Sequence, residues 1–130
     1  MQRHLVLSTD SEFKKIISGE TSYILRFFRK RQEFLGEIKS GDLVFLKVKK
    51  EILGQFLIGK LVLIEKIEDE DFSFIKKIKG LEKNLHEDSF RKCVDKNSIA
   101  LIIQIEKLEQ LITSPIDIPI VRKDWVILED

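Results

Sequence analysis

The sequence predicts an α+β fold: a mixed β-barrel of about five to six strands carrying short peripheral helices. Three observations point there. The elements follow the order β-α-β-β-β-α-α-β-β, the links between successive strands are of hairpin length, and helices are few and short. A doubly wound parallel sheet would need a helix after nearly every strand, whereas a small mixed or antiparallel barrel tolerates this order. The 130 residues suit one domain spanning 1–130. No repeat, low-complexity stretch or linker divides the chain.

Residues 4–7 form a short β-type run. Thr9-Asp10-Ser11-Glu12 then reads as a helix start, with Thr9 as N-cap to the amide of Glu12 and the Glu12 carboxylate reaching back. Phe13, Ile16 and Ile17 make one apolar face. Gly19 ends the helix in the left-handed conformation. In the strand over 21–28, Tyr23, Leu25 and Phe27 share one face and Ile24, Arg26 and Phe28 the other. Residues 29–35 are basic and irregular. Ser40-Gly41-Asp42 marks a turn before a strand over 43–49, followed by a loop over 50–54. A long strand over 55–67 is expected to bend at Gly59. The acidic run 68–71 suits the N-terminal end of a helix that carries Phe72, Ile75 and Ile78, and Gly80 closes or interrupts it. A second short helix is expected over 86–94. Ile99 to Ile105 is apolar on both faces and should be a central, buried strand. Ser114-Pro115 and Ile118-Pro119 frame an extended connection to a last strand over 125–128.

Composition excludes several classes of function. Charged residues make up 35% of the chain, yet the net charge is +1, so no global field draws in nucleic acid and any attraction must be local. The lone cysteine, Cys93, permits no intrachain disulfide and reads as a small core residue. No apolar run approaches the ~18 residues of a membrane span, and the chain opens into a strand without a signal-peptide pattern, so a cytoplasmic protein is expected. His4 and His86 have no partner at zinc-binding spacing. No metal and no cofactor is expected. The glycines form no Walker or dinucleotide pattern, and there is no G-x-S-x-G elbow.

Several stretches, in order, resemble the ASCH family of the PUA-like superfamily: Arg3 to Ser8, Phe13 to Glu20, the strand ending at Arg26, Ile38 to Phe45, the run through Gly59-Lys60, Asn97 to Ile105 and Arg122 to Leu128. The family signature G-x-K-x-x-E-x-R falls on Gly19-Glu20-Thr21-Ser22-Tyr23-Ile24-Leu25-Arg26. Gly19 and Arg26 match; Thr21 stands in place of the lysine and Ile24 in place of the glutamate. Some ASCH-like proteins are amidohydrolases on N4-acetylcytidine-type substrates, with a lysine where Thr21 stands and a threonine nucleophile where Ile24 stands. Ile24 has neither a proton to transfer nor a lone pair, so the departures argue against that activity. The resemblance implies a PUA-like barrel and a binding module for RNA or a nucleotide-like anionic ligand. The amidohydrolase and a protein-interaction module are its alternatives.

With that resemblance, the basic cluster Arg26, Arg29, Lys30 and Arg31, interleaved with Phe27 and Phe28, is expected to bind the ligand. Guanidinium groups fork onto phosphates and aromatic rings stack on bases. Without it, the same residues would read as a solvated loop anchored by its phenylalanines. Arg26 alternates with apolar neighbours and so needs an acceptor. A ligand anion in a cleft between the first helix and the barrel would serve, as would Glu65 or Asp42. Lys47, Lys49 and Lys50 form a second basic group at a strand end; Lys47 and Lys49, with Lys60 on the next strand, form either a continuous basic stripe or ordinary edge protection. Trp125 is expected to be a core anchor, with a stacking platform for a base as the alternative; Lys123 an ordinary charged loop residue, with phosphate contact as the alternative; and Asp42 a turn stabiliser.

Overall fold

The computed structural model describes residues 1–78, 87–96, 98–119 and 123–128. Strand β1 (Arg3–Ser8) leads through Thr9 into α1 (Asp10–Ser18). Thr9 caps the helix as the sequence predicts: its Oγ1 accepts the Glu12 amide at 3.1 Å, and Gly19 closes it at φ 82°. Strand β2 (Tyr23–Phe28) is followed by a 3-10 turn (Glu33–Gly36), strand β3 (Leu43–Val48) and strand β4 (Glu51–Ile64). Two short helices, α2 (Asp71–Lys76) and α3 (Glu87–Asp95), precede β5 (Ile99–Gln110) and β6 (Trp125–Leu128). Gly80, His86, Asn97, Arg122 and the side chain of Cys93 lie outside the described residues.

The strands form one sheet in the order β2-β5-β4-β3-β1-β6, strongly curled into a half-barrel. Only β1 and β3 run parallel; every other neighbouring pair is antiparallel. The parallel pair exists because α1 and β2 intervene between β1 and β3, carrying the chain away and back. The mixed α+β barrel architecture expected from the element order is therefore present.

Both faces of the sheet are covered. On the concave side Val6, Leu46, Phe56, Ile58, Leu101 and Ile103 meet Phe13 and Ile16 of α1. Behind β5, Ala100 and Ile102 pack with Ile67, Ile75 and Phe90. Strand β5 thus needs apolar residues at odd and even positions, which is why Ile99 to Ile103 show no alternation. A third cluster, Leu5, Phe45 and Ile52, covers the outer face of β1 and β3.

Two expectations are corrected. Residues 51–54 are strand, not loop: β3 and β4 are joined by the two residues Lys49 and Lys50, with Lys49 at φ 57°. A lysine in the left-handed region carries none of the usual Asn-Gly or Asp-Gly signal of a tight hairpin. Strand β5 also continues five residues past Ile105, because β4 is long enough to pair with it as far as Gln110. The expected bend at Gly59 appears as a register break between Ile58 and Leu61.

Candidate functional site

The curl leaves β2 and β6 as the two sheet edges among the described residues, and Arg26 and Trp125 lie where contacts bridge the gap between these margins. Arg26, on the same face of β2 as buried Ile24, reaches across this gap. Its Nη1 and Nη2 donate to the two carboxylate oxygens of Glu12 at 2.7 and 2.6 Å. The same nitrogens donate to the carbonyls of Leu25 at 3.0 Å and Leu7 at 3.1 Å. Arg26 therefore ties the edge strand to α1 and to the end of β1. Ser8 Oγ adds a bond to Glu12 Oε1 at 2.6 Å. Burial pushes the Glu12 carboxyl up, but the bonds and charge of Arg26, with the Ser8 hydroxyl, outweigh it and hold the group below its usual range.

This corrects two expectations. The acceptor for Arg26 is Glu12, not Glu65, Asp42 or a ligand, so both terminal nitrogens of Arg26 are committed to the protein. The Glu12 carboxylate does not reach back to complete a capping box, because Arg26 and Ser8 hold it.

A second connection crosses the same gap through aromatic rings. Phe28 meets Phe34 edge-on at 5.4 Å, and Phe34 stacks on Trp125 at 5.1 Å with a 9° interplanar angle. Trp125 is 5% exposed, as a core anchor should be. Its Nε1 donates to Nδ1 of fully buried His4 at 3.1 Å, and His4 Nε2 lies 2.9 Å from Asp42 Oδ2. An indole N–H only donates, so Nδ1 is the acceptor and Nε2 carries the proton shared with Asp42. Asp42 also accepts the amides of Gln2 and Lys39. Burial acts to raise its carboxyl, while the bonds from His4 and the two amides lower it further and win. Asp42 does stabilise its turn, and in addition anchors His4 and, through it, the last strand.

Between the segment 31–37 and β6 lies a concavity of about 640 Å³, lined by Arg31, Gln32, Glu33, Phe34, Glu37, Lys123 and the residues Trp125 to Ile127. Two cations and two carboxylates face it together with an amide, above the Phe34–Trp125 stack. Arg31 is ion-paired with Glu65, both exposed. Arg29 and Lys30 are exposed and carry no ion pair among the described residues.

The other expected cations lie elsewhere. Lys47 is half-buried and Lys49 occupies the hairpin turn. Lys47 pairs with Ile52, and Lys60 stands eight residues further along β4, roughly 26 Å at strand rise. The stripe of Lys47, Lys49 and Lys60 is therefore not formed. Of the expected cluster the structure brings Arg31 into the concavity, beside Lys123. Phe34, Glu33 and Glu37 were not singled out from sequence: Phe34 and Trp125 are 91 positions apart, and no local pattern reports their contact.

No family model matches the sequence, and no curated protein matches it. Solved structures do match. A serine-to-alanine variant of the ASCH protein from Zymomonas mobilis superposes with a TM-score of 0.67 at 12% identity, covering 98% of this chain and 88% of that one. The chain has the ASCH-type, PUA-like fold. A tyrosine-to-phenylalanine variant of the same protein gives 0.60 at 13% identity over 85% of this chain and 73% of that one. The unsubstituted protein gives 0.58 at 14% identity over 83% and 69%. Within this ASCH-type fold, Thr21 and Ile24 serve structure. Thr21 is buried, and its Oγ1 bonds the carbonyl of Tyr23 at 3.1 Å. Ile24 is 1% exposed and packs in the concave core.

Proposed function

We propose that this chain is a cytoplasmic, single-domain PUA-like module that binds RNA or a nucleotide-like ligand in the concavity between residues 31–37 and β6. The observation that carries the reading is the lining of that concavity. Arg31 and Lys123 flank a stacked aromatic pair, beside an amide and two carboxylates. Cations suit phosphate oxygens, and amides and carboxylates suit the polar edges of bases. Arg29 and Lys30, next in the chain to Arg31, extend the cationic rim. Giving up the Arg31–Glu65 pair costs little, because exposed ion pairs contribute about 0–1 kcal/mol. The ASCH-type fold supports the same reading, and Arg26 serves it by holding the gap in shape rather than by touching the ligand.

The test is fluorescence anisotropy with labelled single-stranded RNA, with free nucleotides as competitors, from low to physiological salt. The double variant Arg31→Ala, Lys123→Ala is expected to weaken binding at least tenfold while keeping the wild-type melting temperature. Equal binding by the variant would place the ligand elsewhere.

A further inference from the structure

The wall of the concavity formed by β6 offers more than side chains. The Leu7 amide donates to the Asp124 carbonyl at 2.9 Å, and β6 pairs with β1 from Val6↔Trp125 to Arg3↔Leu128. In an antiparallel ladder the residues bonded to the neighbour alternate with those facing away. Asp124, Val126 and Leu128 therefore turn their main-chain groups toward β1, and Trp125 and Ile127 turn theirs outward. Among the described residues no strand lies beyond β6, and none of the outward-facing main-chain groups of Trp125 and Ile127 has a hydrogen-bond partner. Trp125 and Ile127 both line the concavity.

Sheet edges are normally blunted by a lysine, a proline or a bulge. Trp125-Val126-Ile127-Leu128 has none of these and is limited only by its length of four residues, so among the described residues β6 presents an open edge to a charged, nucleotide-sized recess. The geometry points to a main-chain reading site: the Trp125 carbonyl and the Ile127 amide hydrogen-bond the Watson–Crick edge of an unpaired base. This rests on the RNA-binding reading above. An acceptor beside a donor complements N3–H and O4 of uracil, N1–H and O6 of guanine, and the amino group and ring nitrogen of adenine or cytosine. Every base offers that pair, and every base hides it in a duplex. The site therefore selects for single-stranded over paired RNA, with little preference among the bases.

The probes are a labelled uridine heptamer, the same heptamer annealed to its complement, and a heptamer of N3-methyluridine. The last is neutral and stacks, but lacks the N3–H donor. Wild-type protein is expected to bind the plain heptamer about tenfold more tightly than either other form, as loss of a hydrogen bond or two implies. Ile127→Pro removes only the outward amide, which the ladder does not use, and proline is tolerated on a sheet edge. It is expected to bind the plain heptamer about tenfold more weakly, with an unchanged salt slope and melting temperature. If wild type binds the plain and methylated heptamers equally, the main-chain reading is overturned and the RNA-binding reading stands. Absence of wild-type binding to any RNA at low salt removes both. Capture of an extended peptide by wild type but not by Ile127→Pro, with no RNA bound, overturns the inference in favour of strand addition.

Discussion

Arg26 shows how a charged side chain on a core face finds a distant partner. With apolar Ile24 two residues earlier on the same face, the guanidinium sits on the core face of an edge strand and is 20% exposed. Burying a charge there requires a partner, and α1 supplies Glu12 through the first turn of a helix set by Thr9. Arg26→Met leaves Glu12 mostly buried without its countercharge, and is expected to cost about 2–3 kcal/mol in urea unfolding at pH 7. The pH dependence follows from the lowered carboxyls of Glu12 and Asp42. Their contribution to stability is fully present above their unfolded values, about 4.3 and about 3.9, and is lost as pH falls through the lower folded-state values. Stability of the wild type should therefore drop as pH falls below about 4. Arg26→Met should show a shallower drop, because Glu12 no longer gains from ionisation. An identical acid limb in both proteins would show that Glu12 contributes nothing through Arg26.

Among the elements, β4 breaks register with both of its neighbours. Its two interior glycines do different work. A methyl group on Gly54 would meet the ring of Phe13 at 2.9 Å, so this glycine lets α1 lie close on the sheet. At Gly59 the nearest atoms, 2.6–2.7 Å away, are the ends of the Glu106 and Gln104 side chains. Gly54→Ala is expected to cost about 1–3 kcal/mol by overpacking. Gly59→Ala is expected to cost less, since flexible side chains can move aside. Chemical denaturation of the two variants decides it; equal losses would mean the α1 contact is looser than it stands. The Lys49–Lys50 turn shows the limit of local reading. Nothing in Val48-Lys49-Lys50-Glu51 announces a hairpin, and the pairing of Val44 with Phe56 and of Leu46 with Gly54 imposes it. Burying those core faces outweighs the roughly 1 kcal/mol of left-handed strain at Lys49.

For the molecule as a whole, a net charge of +1 means that attraction for the proposed anionic ligand must be local. Arg31 and Lys123 line the concavity, and the exposed Arg29 and Lys30 directly precede Arg31 in the chain. If each meets a phosphate, log K for single-stranded RNA should fall with log salt at a slope of about −3. Lys47→Ala and Lys60→Ala should leave affinity and slope unchanged, because these residues lie away from the concavity; a reduced slope in either would relocate the interface. The helices, the caps at Thr9 and Gly19, the buried central strand and the barrel class were legible because each is written in periodicity or turn chemistry over a few residues, and residue order alone marked Arg29 to Arg31 as a cationic cluster. The partners were not legible. Glu12 with Arg26, Phe34 with Trp125, Trp125 with His4, and the open edge of β6 all arise when a curled sheet brings its two margins together. A contact between residues 14 to 121 positions apart leaves no trace in local spacing, so the shape of the recess is a property of closure, not of any segment.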